Sequence, residues 1–218
     1  MVSQTEENYL KALFHLTYEI GQKTEAGTNE LAEFLEVKPA SVNDMLKKLK
    51  EKDLVSYEKY GKITLTKKGK DIAVEIVRKH RLWETFLYKK MDFTWDEVHE
   101  VAEQLEHIKS QKLVKQLEIF LDFPEIDPHG DPIPNEKGEI KKLARISLSE
   151  VNVGNVCRLV AVKDGSVAFL QYVAKLGLDL NSKIKVISRL EFDGSIEIEV
   201  NNQRYTVSQK FGNNLFVV

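Results

Sequence analysis

The hydrophobic pattern of this chain changes its period once, across a segment rich in proline, and that change limits what the chain can fold into. Four of the five prolines lie in residues 123–146. Before this segment the apolar residues recur every three or four positions, as on one face of an α-helix. After it they alternate in short runs bounded by turn residues, as in β-strands. We therefore expect a mainly α-helical chain with an irregular, partly mobile linker and a small C-terminal β-barrel.

Two short amphipathic helices joined by a tight turn are predicted near the N-terminus. The first starts at Thr28, whose side chain can cap it, and the second starts at Pro39, because proline is favoured in the first turn of a helix. Such a pair is a helix-turn-helix. Strand-like residues on both sides of the KYGK sequence at 59–62 then predict a hairpin, which is the wing of a winged helix-turn-helix.

Four further helices are expected from the spacing of apolar residues. They cover residues 4–20, with Gly21 as a stop, and then Lys67 to Met91, Trp95 to about Ser110, and Gln111 to Asp122. After Ile146 five short strands and one helical insert are expected.

Positive charge is concentrated around the predicted helix-turn-helix and wing. Residues 38–70 carry ten lysines and four acids, a net charge of +6, whereas the whole chain has a net charge of −2. A basic stretch on an acidic protein indicates a polyanionic partner such as DNA. A charge run taken alone is also typical of a solvated helical face, so both interpretations stay open here.

The composition favours a protein of a reducing compartment, and we expect it in the cytoplasm. Cys157 is the single cysteine, so neither a disulfide framework nor a cysteine-rich zinc site can form within the chain. The N-terminus lacks the basic and apolar regions of a secretory signal, and no apolar run is long enough for a membrane span. Any bound metal must therefore be held by histidines and carboxylates.

Three of the five histidines fall on two neighbouring predicted helices, with acids at helical spacings. If the helices pack antiparallel, they bring six nitrogen and oxygen ligands together: His80, Glu84, His99, Glu103, Glu106 and His107. Imidazole and carboxylate without thiolate suit Mn, Fe, Co, Ni or Zn. Each histidine alone is more often a surface or core residue than a ligand, so the pattern by itself leaves the metal site open.

Six stretches carry a resemblance to a known family. They are EENYLKAL, KPASVNDMLKKLKEKDLV, YEKYGKITLTKKG, RKHRLWETFL, VHEVAEQLEH and GDPIP. In this order they resemble the diphtheria-toxin-repressor-like family of iron- and manganese-dependent transcriptional repressors, in particular manganese transport regulators with an SH3-like C-terminal domain. The resemblance implies a homodimeric repressor of metal-ion uptake genes, which is not an enzyme.

The resemblance also implies three domains. Residues 1–70 would form the winged helix-turn-helix DNA-binding domain. Residues 71–140 would form the helical dimerisation and metal-binding domain with its linker. Residues 147–218 would form the SH3-like domain.

The metal ligands are implied by position. The family's ancillary site corresponds to His80, Glu84 and His99, and its primary site corresponds to Asn8, Glu103, Glu106 and His107. Iron-selective members have cysteine where this chain has Glu103, and an oxygen donor favours a harder ion. We therefore expect Mn(II) first and Fe(II) next, with Zn, Co or Ni as ions that can bind in vitro.

Three positions depart from the family pattern. Asn8 is a neutral donor where many manganese regulators have aspartate. Lys11 stands where binuclear manganese members have a second acid. In the barrel, Asp164 is one residue away from the position of a family ligand.

The resemblance also implies a mechanism. Metal would link the N-terminal helix to the dimer helices and would shift the population of conformations towards the DNA-binding state.

The expected DNA partner is a palindromic double-stranded operator, read by the helix that begins at Pro39. Ser41 and Asn43 can reach bases or phosphates. The phosphate contacts expected from the helix-turn-helix are Lys38, Lys47 and Lys48. The wing residues Lys59, Tyr60 and Lys62 are expected to lie along the DNA backbone or in the minor groove. We expect neither a membrane partner nor an organic small-molecule substrate. The alternatives are a metal-independent winged-helix protein and a di-metal hydrolase, although the latter leaves the helix-turn-helix without a role.

Overall fold

The computed structural model of the chain describes residues 2–19, 23–57 and 61–218. Two expected wing residues, Lys59 and Tyr60, lie outside the described residues, and so does the expected helix stop at Gly21.

The described residues form helices in the first part of the chain and mainly strands in the last part. The α-helices are α1 (Gln4–Phe14), α2 (Thr28–Phe34), α3 (Pro39–Glu51), α4 (Lys67–Lys90), α5 (Val98–Leu105), α6 (Gln111–Phe120), α7 (Val167–Lys175) and α8 (Gln209–Asn213). A π-helix at His15–Glu19 continues α1, and a short 3-10 helix covers Leu148–Glu150. The strands are β1 (Val55–Tyr57), β2 (Ile63–Leu65), β3 (Ile146–Ser147), β4 (Val156–Val162), β5 (Lys183–Arg189), β6 (Ile196–Val200), β7 (Gln203–Val207) and β8 (Leu215–Val217).

The chain divides into two compact units, which we call the first and the second unit. The first unit comprises residues 1–80, 103–111 and 134–139. The second unit comprises residues 81–102, 112–133 and 140–218. The long helix α4 and the short helix α5 each contribute residues to both units.

The first unit contains the predicted winged helix-turn-helix. The helices α2 and α3 pack through side chains that are fully buried, among them Leu31, Leu46 and Leu49. Strands β1 and β2 pair antiparallel as the wing. One detail of the prediction is wrong, because the N-cap of α2 is Gly27 and Thr28 is the first helical residue.

The N-terminal helix α1 starts at a complete capping box. The Ser3 hydroxyl accepts a hydrogen bond from the Glu6 amide, and the Glu6 carboxylate accepts one from the Ser3 amide. This arrangement satisfies two amide groups that have no partner within the helix, and it fixes where the helix begins. The rotation of α1 places Glu7, Asn8 and Lys11 within one turn of each other, on one side of the helix.

In the second unit, the C-terminal residues form the predicted barrel-like sheet. Its six antiparallel strands have the order β3-β8-β4-β5-β6-β7. Alternate residues of the strands are buried, as β6 shows with Ile196, Ile198 and Val200 facing the core. The five expected strands are all present, and the short β3 at residues 146–147 is an additional one. The predicted fold class, mainly α with a small SH3-like β domain, is confirmed.

The segment 123–146, expected to be an irregular linker, contains an ordered turn. The Asp127 amide donates to the Asp131 carbonyl at 3.0 Å, and the Gly130 amide donates to the Asp127 carbonyl at 3.1 Å. Gly130 has φ +87°, and a Cβ added there would lie 2.0 Å from the Val160 carbonyl oxygen. The turn is therefore packed closely against a strand of the sheet.

No helix in the described part of the chain is long and apolar enough to span a membrane.

Serine substitutions at two glycines, Gly69 and Gly27, test the packing of the first unit. A Cβ at Gly69 in α4 would lie 1.9 Å from the Leu54 carbonyl oxygen, whereas a Cβ at Gly27 meets nothing within 4 Å. We expect Gly69→Ser to lower the free energy of unfolding by about 1–3 kcal/mol, because backbone must shift. Gly27→Ser should change it by less than about 0.5 kcal/mol or raise it, because serine is a good N-cap. Urea denaturation followed by circular dichroism measures both, and equal effects would contradict the packing.

Candidate metal centre

The first unit contains a cluster of polar and charged side chains, which we call the α1 cluster: Glu7, Asn8, Lys11, His80, Glu103, Glu106 and His107. The first three residues come from α1, His80 comes from α4, and Glu103 comes from the last turn of α5. The structure ends α5 at Leu105, earlier than the sequence predicts, so Glu106 and His107 lie in the turn that follows.

The Lys11 ammonium lies at the centre of the α1 cluster. Its Nζ atom is 2.6 Å from Glu106 Oε2, 2.7 Å from Glu103 Oε1 and 3.1 Å from His80 Nδ1. The Glu106 side chain is fully buried and that of Lys11 is 8% exposed. The His80 Nδ1 atom is also 2.6 Å from Glu106 Oε2. The ammonium therefore neutralises a buried carboxylate that would otherwise be costly to bury.

Within the described residues, the α1 cluster also contains oxygen atoms that make no hydrogen bond. Glu106 Oε1 and Asn8 Oδ1 are buried, and neither has a hydrogen-bond partner among the described residues. The Nε2 atom of His107 is 4.0 Å from Glu106 Oε1. Its Nδ1 atom contacts Glu7 Oε2 at 2.6 Å, which orients the ring. Two unpartnered oxygens and an imidazole nitrogen fit a hard or borderline divalent ion.

The second unit holds a separate buried cluster, which we call the turn cluster: Glu84, Asp127 and His129. One ligand atom from each of these three residues can be chosen so that all lie within 4.8 Å of one another, and all three residues are buried. His129 Nδ1 is 3.6 Å from one oxygen of Glu84. The other oxygen of Glu84 is 3.2 Å from Nδ1 of His99, whose side chain is 55% exposed.

The turn that contains Asp127 fixes the position of both its carboxylate and His129. One oxygen of Asp127 accepts hydrogen bonds from the amides of His129, at 2.8 Å, and Asp131, at 3.0 Å. The other oxygen is 3.4 Å from the Arg81 guanidinium. The His129 Nε2 atom lies 3.2 Å from the Trp95 carbonyl oxygen.

Burial and neighbouring charge shift the pKa values in the turn cluster. Burial, which is the largest cause, and the negative charges of Glu84 and Asp131 together raise the pKa of Asp127 to about 7, although the positive charges of Arg81 and His129 lower it. Burial lowers the pKa of His129, but the hydrogen bond and the charges of Glu84 and Asp127 outweigh it and raise the pKa to about 9. Excess negative charge in a buried site, partly relieved by a protonated imidazole, is the environment that a divalent cation stabilises.

Asp127 and His129 are candidate ligands that the sequence reasoning did not find. They lie in the segment that was assigned to the linker, and no helical spacing connects them with Glu84. The signal that was available is the sequence DPHGD at 127–131, with an imidazole between acids in a turn. Asp164, the candidate from the barrel, accepts a hydrogen bond from the Ser166 amide.

The predicted DNA-contact residues are mostly exposed on the helix-turn-helix. Lys38, Pro39, Ser41, Lys47 and Lys48 are exposed at the start and along one face of α3. Lys47 is paired with Asp44 at 2.9 Å.

Two other members of the predicted DNA-contact set are held by side chains of the first unit. Asn43 is half-buried and accepts a hydrogen bond from the Tyr57 hydroxyl at 2.6 Å, so β1 orients it. Lys62 in the wing is exposed and pairs with Glu25.

A winged helix-turn-helix and two buried clusters of imidazoles and carboxylates in one chain define the class of metal-responsive DNA-binding regulators. Three family patterns match the chain. Residues 1–63 match the iron dependent repressor N-terminal DNA binding domain, and residues 66–135 match the iron dependent repressor metal binding and dimerisation domain. Residues 146–218 match the FeoA domain.

Similar proteins agree with these matches. A solved structure described as a manganese-dependent transcriptional repressor in complex with manganese has a TM-score of 0.88 and 33% identity, covering 98% of this chain and 99% of that one. The iron-dependent repressor IdeR of Mycobacterium leprae is 28% identical over 98% of this chain and 88% of its own length. A probable metal transport system membrane protein of Chlamydia trachomatis is 35% identical over 62% of this chain, and the match spans 30% of that protein.

The chain belongs to the iron-dependent repressor family. It is a metal-dependent DNA-binding transcriptional repressor and not an enzyme, so the hydrolase alternative is wrong.

The turn cluster makes the stability of the metal-free protein depend on pH. The pKa of His129 is about 9 in the folded chain and its ordinary value is 6.5. The imidazolium therefore stabilises the fold fully below pH 6.5, and this contribution is lost as the pH rises through 9. We expect the free energy of unfolding of chelator-treated protein to fall over this range, and His129→Gln to flatten the fall. Urea titrations at several pH values measure it, and identical slopes would contradict the assignment.

Proposed function

We propose that this chain is a cytoplasmic, homodimeric repressor of metal-ion uptake genes that binds a palindromic operator when a divalent metal, Mn(II) first and Fe(II) next, is bound. The turn cluster of Glu84, Asp127 and His129 is the observation that carries the proposal. Its three ligand groups are buried, and the turn at 127–131 orients the Asp127 carboxylate through two amide hydrogen bonds. Oxygen donors with one imidazole favour Mn(II) over the softer ions that thiolates select, although Zn, Co or Ni can bind in vitro.

Two sets of ligands support metal binding. In the second unit, Glu84 and His99 were expected from the sequence, and Asp127 and His129 are added from the structure. In the first unit we propose the ligands Asn8, Glu106 and His107, with His80 and Glu103 around them. A bound divalent ion supplies the positive charge that the buried carboxylates of each cluster lack, so it stabilises the arrangement in which those carboxylates face one another.

The chain has the features expected of an operator-binding surface. The exposed start of α3 presents Ser41 to a major groove, with Lys38, Lys47 and Lys48 placed for phosphates. Lys62 would reach the backbone from the wing, and we propose Lys59 and Tyr60 for the same role. We propose functional bounds of 1–70 for DNA binding, 71–140 for dimerisation and metal binding, and 147–218 for the SH3-like domain.

An apolar groove of the second unit supports the homodimer. The groove has a volume of about 440 Å³ and is lined by α4 and α6, including Trp83, Phe86, Leu117 and Phe120. The Phe120 side chain is exposed, and so is Phe123 just after α6. Exposed aromatic residues around an apolar groove are typical of protein interfaces. A second copy of this chain is the occupant that the family's dimerisation domain implies.

DNA affinity with and without metal tests the proposal. The probe is the DNA upstream of the chain's own coding sequence, and binding is measured by gel shift and fluorescence anisotropy with a chelator or with Mn, Fe, Co, Ni or Zn. We expect Mn(II) or Fe(II) to raise the affinity of the wild type at least about tenfold. Glu84→Gln should remove most of this increase, because it deletes a charge from the turn cluster.

Glu191→Gln is the matched control, since Glu191 is exposed in the same unit. It should keep the full metal response. Equal affinity of the wild type with metal and with chelator would instead favour the metal-independent winged-helix alternative.

The salt dependence of DNA binding tests the phosphate contacts. Lys48 is exposed on α3, and Lys48→Ala should weaken binding to operator and to unrelated DNA alike. It should also reduce the slope of log affinity against log salt by about 1, because one counterion fewer is released. Lys183→Ala is the control, since Lys183 is exposed on β5. An unchanged slope in Lys48→Ala would remove this residue from the DNA-binding surface.

A further inference from the structure

The position of Lys11 in the α1 cluster carries an inference beyond the proposed function. A lysine side chain is almost never buried unless it is paired, and this one is buried with two carboxylates and an imidazole. Those three groups, Glu103, Glu106 and His80, are also the ligand types that a divalent metal prefers. The ammonium therefore has the environment of a bound cation.

The ammonium and a metal ion compete for the same atoms. A divalent metal binds carboxylate oxygen and imidazole nitrogen at about 2.0–2.3 Å. Lys11 Nζ is 2.6 Å from Glu106 Oε2 and 3.1 Å from His80 Nδ1. An ion bound to these two atoms would have to displace the ammonium, and it would leave that ammonium buried beside a divalent charge. Both effects oppose a metal ion on this side of the Glu106 carboxylate.

The second oxygen of the same carboxylate, Oε1, does not contact Lys11 and makes no hydrogen bond within the described residues. Glu106 Oε1 and Asn8 Oδ1 are buried oxygens without a hydrogen-bond partner in residues 2–19, 23–57 and 61–218. Asn8 is neutral, so an ion held there meets one negative charge fewer than aspartate would provide. Glu106 thus contacts Lys11 through Oε2 and leaves Oε1 for one ion, and His107 Nε2 lies 4.0 Å from that oxygen.

We infer that the Lys11 ammonium is a built-in cation that permanently occupies one cation position between Glu103, Glu106 and His80, so that the α1 cluster accepts a single metal ion. The side chain is covalently attached to α1, and it cannot be removed by a chelator. The contact between α1 and the end of α5 is therefore held by a charge pair in the absence of metal. The inference rests on the metal site proposed for the α1 cluster but not on repressor activity, because it concerns only the number of ions and the stability of the chain.

Ion counting in charge variants tests this inference. The full chain is stripped of metal and dialysed against Mn(II), and bound manganese per chain is measured by inductively coupled plasma mass spectrometry. Lys11→Glu replaces the cation by a further oxygen donor and should bind one Mn(II) more than the wild type. Lys67→Glu makes the same charge change at an exposed residue of the first unit, and it should bind as many ions as the wild type.

A second variant keeps the test decisive if Lys11→Glu does not fold. Lys11→Met keeps an unbranched side chain of nearly the same length and removes the charge, leaving Glu106 buried without its cation. We expect the metal-free variant to melt about 10 °C below the metal-free wild type. Mn(II) should raise its melting temperature by more than it raises that of the wild type, since the ion replaces the missing charge.

Two results would overturn the inference. One is a folded Lys11→Glu variant that binds the same number of ions as both the wild type and Lys67→Glu. The other is a metal-free Lys11→Met variant that melts at the wild-type temperature. Both measurements are made without DNA, so they are independent of whether the chain represses transcription.

Discussion

The burial of carboxylates away from solvent is the constraint on which the functional part of this structure depends. Glu84 and Glu106 are almost completely removed from water, at 2% and 0% exposed. A buried carboxylate is stable only with a cation or with several hydrogen-bond donors close to it. The chain provides some of that positive charge itself, through Lys11 in the α1 cluster, and through His129 and the neighbouring Arg81 at the turn cluster. We propose that a metal ion supplies the remainder.

The two clusters meet this requirement in different ways. In the α1 cluster a lysine is the main counter-charge, and two buried oxygens, Asn8 Oδ1 and Glu106 Oε1, have no hydrogen-bond partner among the described residues. At the turn cluster the counter-charge comes from the Arg81 guanidinium and from a proton on His129, and a metal ion would displace that proton because a ligating imidazole must be neutral. The net charge of the turn cluster would therefore change when a metal ion binds, because His129 would lose its proton.

Much of the fold could be predicted because it rests on local patterns. Apolar residues in the α3 segment recur with a helical period, and Pro39 starts the helix as expected. The alternation of Ile196, Ile198 and Val200 identified a strand with one buried face. The sequence predicts Thr28 as the N-cap of α2, whereas the N-cap in the structure is Gly27. The end of α5 was placed beyond Leu105, because residues 106 and 107 continue the helical spacing although the chain turns there.

The sequence by itself determined that this chain has a winged helix-turn-helix, a sheet-forming C-terminal part and metal-ligand residue types at helical spacings. Period and composition are sufficient for that, since secondary structure follows from neighbours along the chain. Only the tertiary structure decided which ligands meet. It brought Asp127 and His129 from a turn to Glu84 on a helix, and it placed the Lys11 ammonium between two carboxylates about ninety residues away. The reason is physical: burial and the direction of a side chain depend on contacts that are distant in sequence, and no local pattern records them.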